Sequence, residues 1–239
     1  MRELVRGVTT LTLQQCRSCG GTAPVDVHFC PGCTKILTVV RHGDYFAFLG
    51  LPRTLTVDAD ALEQRYRSLS RQFHPDFYYN ATPAERRASL ERSSYLNDAY
   101  RTLRQSATRV AYLLEIEGVL TAADRTGGGA TVPPALLEEV FALNEELDEV
   151  RALRAQGVPA TQLSARLAQA AAPIEARAAE HEAHLQALAA EWDALAADDA
   201  AGRQRVLQAL RARVLERHYI TNLLASIASE AGAPVAPAR

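Results

Sequence analysis

Apolar side chains recur at spacings of three and four along most of this 239-residue chain, the period of helices with one buried face. Leu62, Tyr66, Leu69 and Phe73 form one stripe. Asp58 or Asp60 offers it an N-cap, and Pro75 ends it, because proline lacks an N–H and disfavours helix in the residue before it. A second stripe, Ser89, Ser93, Leu96, Tyr100 and Leu103, follows a predicted start at Thr82. There Pro83 takes the first helical position and Glu85 completes a capping box. The two stripes predict an antiparallel pair, flanked by short helices over 44–49 and 109–117.

Residues 121–134 break the pattern with three consecutive glycines and a Pro-Pro pair, which predicts a linker. Beyond it, Leu136, Val140, Leu143, Leu147 and Val150 make one stripe, stopped by Gly157 and Pro159. Leu163, Leu167, Ala170, Ile174, His181, Leu185, Leu188, Trp192 and Leu195 make a longer one, with a kink predicted at Pro173. Leu210, Val214, Ile220, Leu224 and Ile227 mark a third. Short connections between them predict an antiparallel three-helix bundle over 135–230, with 233–239 as a frayed tail. Residues 10–40 have no helical period. The predicted fold is all-α: a helical hairpin over 43–120, then the bundle, preceded by a small segment resembling a zinc ribbon or knuckle.

Composition adds a division of charge. The net charge is −2, yet residues 1–120 carry 15 basic against 12 acidic side chains and the remainder 11 against 16. An acidic total excludes a protein dominated by nucleic-acid phosphates, while the first half keeps room for a local basic patch. No run of 18 apolar residues occurs, so no membrane span is expected. Residues 1–13 lack the apolar block of a signal peptide, which makes the cytoplasm the expected address.

The four cysteines all lie between positions 16 and 33, too few and too local for a disulfide scaffold. Cys16, Cys19, Cys30 and Cys33 form C-x2-C-x10-C-x2-C, two pairs able to close on one ion, with Gly20 and Gly32 giving the turns freedom. A structural Zn2+ is the first expectation; an iron or iron–sulfur centre is the alternative. Four protein ligands leave no open position for catalysis. His28 is expected to be solvated or to support a ligand. His181 and His184 lack the facing carboxylate motif of a di-iron bundle.

Between the paired helices stands His74-Pro75-Asp76, preceded by Arg65, Arg67 and Arg71 on the surface of the first helix. Together with Tyr45 to Leu51 (YFAFLGL) and Leu96 to Tyr100 (LNDAY), these residues resemble a J-domain, the module by which DnaJ-type co-chaperones dock on heat-shock-70 chaperones. The stretches Arg109 to Gly118 and Asn144 to Glu149 extend the resemblance to the HscB subfamily of iron–sulfur cluster assembly. The tetracysteine segment departs from the shorter bacterial members and is similar to mitochondrial ones.

That resemblance implies a chaperone-binding site of His74, Pro75, Asp76, Arg65, Arg67 and Arg71 for an HscA/DnaK-class ATPase, with Asn97 and Tyr100 as scaffold positions. Phe77, Tyr78 and Tyr79 follow where many J-domains carry Lys or Arg. In the second half, Leu137 and Phe141 lie one position over from the core stripe beside charged residues, an apolar shoulder of the kind that marks an interface. In HscB-like proteins the matching positions bind the scaffold protein IscU, which implies scaffold binding by Leu137, Phe141, Glu145, Glu149 and Tyr219. The expected protein is a non-enzymatic co-chaperone, and a homodimer is compatible with it. Two other readings fit less. An enzyme would need a second catalytic group beside His74, and none is placed by motif. A general zinc-containing J-protein or nucleic-acid adaptor would have only Arg17, Lys35 and Arg41 as cations near the cysteines.

Overall fold

A computed structural model describes residues 13–25, 27–39, 44–121, 124 and 134–232. The glycines of the predicted linker, the 233–239 tail and the side chain of Leu136 lie outside the described residues. The chain divides into two compact units, 1–109 and 110–239.

In the first unit, β1 (Leu13–Gln15) and β2 (Thr22–Pro24) form a two-stranded antiparallel ribbon with Gln14 opposite Ala23. Helix α1 (Tyr45–Leu49) is capped by the Asp44 carboxylate, which accepts from the Ala47 N–H at 2.7 Å. Helix α2 (Ala59–Phe73) starts at the Asp58 cap and ends two residues before Pro75, with His74 between them. A 3-10 turn, Pro75–Tyr78, leads to α3 (Pro83–Arg104), whose start at Thr82 carries the full capping box with Glu85. The buried stripe of α2, Leu62 and Phe73, meets Ser89, Leu96, Ala99 and Leu103 of α3. Tyr66 and Tyr100 stack at 4.3 Å, and the Tyr66 hydroxyl donates to Asn97 at 2.9 Å. The buried Arg109 guanidinium donates to the Leu55 and Leu103 carbonyls at the open end of the hairpin, away from the loop that joins the two helices. Helix α4 (Ser106–Ile116) follows.

The second unit is built on α5 (Pro134–Ala155), α6 (Ala160–Ala194) and α7 (Ala200–Glu230). Gly157, at φ 83°, turns the chain between α5 and α6 in a conformation that favours glycine. Leu143, Leu147, Val150, Leu163, Leu167, Ile174, Ile220 and Ile227 make the core. Arg177 bridges Glu139 of α5 and Glu216 of α7, and Arg151 pairs with Glu230 at 2.6 Å. Helices α5 and α7 therefore run parallel, with α6 antiparallel to both. Helix α6 continues through Pro173. Its farther half buries Leu185, Ala189 and Trp192, the last under the Arg203 guanidinium at 4.0 Å. His181 is buried with Nε2 2.7 Å from the Arg213 carbonyl, a core histidine with its own partner. Among the described residues no helix is long and apolar enough to cross a membrane.

Leu147 is almost wholly enclosed in this core, so truncation leaves a cavity that the helices only partly close. Leu147→Ala is expected to lower stability by about 3 kcal/mol. Urea unfolding checks this as a lower midpoint at unchanged slope.

Candidate functional site

Each cysteine pair sits on a turn of the same construction. The Gly20 N–H donates to the Cys16 carbonyl at 2.9 Å, and the Cys16 N–H to the Gly21 carbonyl at 2.8 Å. In the second turn Thr34 donates to Cys30 at 2.8 Å, and the Cys30 N–H to Lys35 at 2.9 Å. The residue after each second cysteine takes the left-handed conformation, Gly20 at φ 71° and Thr34 at φ 59°. The second turn thus places its strained residue at Thr34, not at the glycine expected to relieve it, Gly32.

These turns bring all four Sγ atoms within 4.8 Å of one another, with Cys16 to Cys33 and Cys19 to Cys30 each at 3.7 Å. A tetrahedral ion with metal–sulfur bonds of about 2.3 Å has edges of about 3.8 Å between sulfurs. The four cysteines are therefore positioned to bind one metal ion. The Cys16 thiol is held down at about 6, chiefly by the Cys19 and Ser18 N–H groups. Cys33 is pushed up to about 12: the Lys35 N–H lowers it, but desolvation and the neighbouring thiols outweigh that donor. A cluster that accepts one negative charge and resists more is one that a cation completes.

The segment does not stand apart from the helices. His28 packs edge-on against Phe48 and Phe73, with ring centroids at 4.9 and 5.0 Å. It is not a solvated residue: its Nδ1 meets the Arg92 guanidinium at 2.7 Å, which engages the ring with the hairpin. Arg92, on α3 and 2% exposed, also donates to the Leu37 carbonyl at 2.6 Å and the Thr38 carbonyl at 3.2 Å. Lys35 pairs with the buried Glu85 at 2.9 Å. Sequence reading missed Arg92 and Lys35. Position 92 lies beside the apolar stripe of α3, and only an arginine next to Ser89 and Ser93 hinted at a polar seam there.

The His-Pro-Asp loop is the exposed end of the α2–α3 hairpin. The Phe73 carbonyl accepts from Ser89 Oγ at 2.6 Å and Ser93 Oγ at 2.9 Å, which anchors its entry. His74 Nδ1 accepts the Asp76 N–H at 3.3 Å, leaving Nε2 as the free donor of that tautomer. The Asp76 side chain is 87% exposed, and Phe77 and Tyr79 are exposed beside it. Arg65, Arg67 and Arg71 are exposed on α2, with Arg67 paired to Glu63 one turn back. In the second unit Leu137 is 39% exposed and Phe141 66%, with Glu145 exposed beside them. Glu149 is engaged by Arg166. Tyr219, partly buried, adjoins core residue Ile220 on α7.

Residues 44–112 match the DnaJ domain family, so this part of the chain is a J-domain. The proteins the whole chain is similar to are HscB co-chaperones. It is 41% identical over 108 residues to the co-chaperone protein HscB homolog of Bordetella petrii, an alignment covering 45% of this chain and 62% of that protein. The fold is that of human co-chaperone HscB, at TM-score 0.68 and 23% identity over 91% of this chain and 98% of the other. It also matches chaperone HscB from Vibrio cholerae, at TM-score 0.58 and 24% identity over 78% and 96%.

Glu85 yields a pH prediction. The Lys35 ammonium first, then the Thr82 hydroxyl and N–H, hold its carboxyl down at about 2, from an ordinary value of 4.5. A depressed carboxyl adds stability above its unfolded value and loses it as pH falls through the folded one. Between about pH 4.5 and pH 2, urea midpoints should therefore fall more steeply for the parent than for Glu85→Gln. Parallel curves would remove Glu85 from the account.

Proposed function

We propose that this chain is a co-chaperone that stimulates the ATPase of a heat-shock-70 chaperone of the HscA/DnaK class and delivers an IscU-type iron–sulfur scaffold to it. The observation that carries the reading is the exposed His74-Pro75-Asp76 loop, held at the tip of a hairpin inside a DnaJ domain and continuous with the cationic face of Arg65, Arg67 and Arg71. Asp76 presents a solvated carboxylate on a stiffened turn, suited to meet a cation on the partner. The three arginines suit an acidic partner surface, which would speed encounter and set orientation more than raw affinity. The chain then acts by binding the states of the ATPase unequally, so that the chemistry stays with the partner.

The scaffold reading rests on Leu137 and Phe141, apolar groups left exposed beside Glu138, Glu145 and Asp148 on a helix whose core stripe is already satisfied. Glu149 contributes to this surface less than Glu145, because Arg166 occupies its carboxylate. The tetracysteine site holds Zn2+ in this reading, since four thiolates close the coordination shell. The metal would serve as a structural crosslink.

Two measurements separate these parts. His74→Gln or Asp76→Asn should abolish stimulation of single-turnover ATP hydrolysis while leaving scaffold binding intact. Leu137→Ala with Phe141→Ala should weaken scaffold binding by about tenfold or more, as expected for central apolar anchors, with scaffold-free stimulation unchanged. Stimulation that survives loss of Asp76 overturns the docking assignment. For the metal, protein purified from zinc-replete medium should carry one equivalent, lost in Cys30→Ser; iron as the stoichiometric metal would overturn zinc.

A further inference from the structure

The turn that carries Cys30 and Cys33 touches both stems of the His-Pro-Asp loop. On the entry side, His28 and Phe29 lie against Phe73, at 5.0 and 6.1 Å between ring centroids. Phe73 is the last residue of α2, immediately before His74. On the exit side, Lys35 pairs with Glu85, whose carboxylate accepts from the Thr82 hydroxyl at 2.8 Å and the Thr82 N–H at 3.1 Å. That capping box is where the chain re-enters helix after the loop. Arg92 stands between the two stems, donating to carbonyls of the cysteine segment while its guanidinium lies 5.6 Å from the centroid of the Phe73 ring and 5.8 Å from that of Phe48.

The cysteine segment has little else to hold it together. Its buried core is Cys16, Ala23, Cys30 and Leu37, so half of those side chains are metal ligands. In so small a core the ion supplies much of the folding free energy. The contacts that the second turn makes with the loop stems come from residues within one to four positions of a ligand: His28 and Phe29 before Cys30, Lys35 and Leu37 after Cys33. They persist only while that turn keeps its shape.

We propose that metal occupancy of the tetracysteine site sets the geometry of the His74–Asp76 loop, through His28 and Arg92 at its entry and Lys35 at its exit. This deepens the docking reading above and rests on it: the metal-bound chain presents a fixed loop to the ATPase, and loss of the metal, by chelation or thiol oxidation, loosens the loop without touching it. Arg92 and Lys35 are positioning residues. Because coupling free energies are reciprocal, a chaperone that selects the fixed loop tightens metal binding by the same factor by which the metal tightens chaperone binding.

Amide hydrogen exchange on the full chain tests this without requiring any activity. Three samples are compared: protein loaded with Zn2+, protein stripped by chelator under reducing conditions, and Zn2+-loaded Lys35→Ala. On stripping, amides over 74–86 should exchange about tenfold faster or more, while those of α5 to α7 stay unchanged. Lys35→Ala, which alters an exposed side chain and keeps all four ligands, should accelerate the Glu85 and Arg86 amides about threefold with metal still bound. If stripping unfolds the whole first unit, seen as equal acceleration at Leu96 and Ala99, the Lys35→Ala sample decides. Exchange over 74–86 within about twofold of the parent in the stripped protein, or in Lys35→Ala where that sample decides, overturns the proposal. ATPase stimulation by the loaded protein is scored separately: its absence sinks the docking reading, whereas the exchange result stands or falls alone.

Discussion

The guanidinium of Arg92 is the interaction on which the first unit depends. Burying a cation is costly unless its donors are satisfied, and among the described residues no carboxylate lies within ion-pair distance of it. Its partners are backbone carbonyls at Leu37, Thr38 and Val27, one imidazole nitrogen and the faces of two aromatic rings. Burial lowers its pKa to about 10, so it stays charged at neutral pH. Such a set of neutral acceptors suits the planar fork of arginine and would not suit lysine. The carbonyls belong to a segment with almost no core of its own, and the rings belong to the helices that form the loop. Neither side can satisfy the charge alone, which ties the folding of the cysteine segment to that of the hairpin.

This dependence also marks what the sequence could not reveal. The elements were legible because their signals are local: the Thr82-Pro83-Glu85 start of α3, the stop at Pro75 and the helical stripes of the second half all act within a few residues. The cysteine spacing was legible because metal geometry fixes it. Arg92 was not, since nothing within its own helix distinguishes a buried arginine from one on the solvated face; its partners are 54 to 65 residues away. Separation along the chain also hid His28, whose place near Cys30 suggested the metal and whose ring contacts lie with Phe48 and Phe73. Lys35 was counted among exposed cations, yet its partner Glu85 had already been assigned to the capping box.

The second unit is held by a different balance. Its apolar core is aliphatic and simple, and its register is set at the edges by arginines that join two helices at once: Arg177 to Glu139 and Glu216, Arg166 to Glu146 and Glu149. Arg166 is held well above the ordinary arginine range by its two carboxylates, Glu146 first. Partly exposed pairs of this kind add modest stability each, but they discriminate strongly against a helix slipped by one turn. They also draw the acidic side chains on one face of α5 inward. What remains turned outward on that helix is the side bearing Leu137, Phe141 and Glu145.

The two surfaces face different physical demands. In the proposed docking, a loop that presents one carboxylate to a partner's cation gains from rigidity, because every conformation lost beforehand is entropy not lost on binding. The serine clamps on the Phe73 carbonyl, Pro75 and the capping box at Thr82 all reduce that freedom from within the hairpin. They leave the stems able to move together, since each clamp joins α3 to its immediate neighbour. The cysteine segment touches both stems from outside, which adds a second tie between entry and exit to the one the serines make. In the proposed reading, a crosslink that costs few residues and is closed by a single ion would stiffen such a loop without enlarging the helical core.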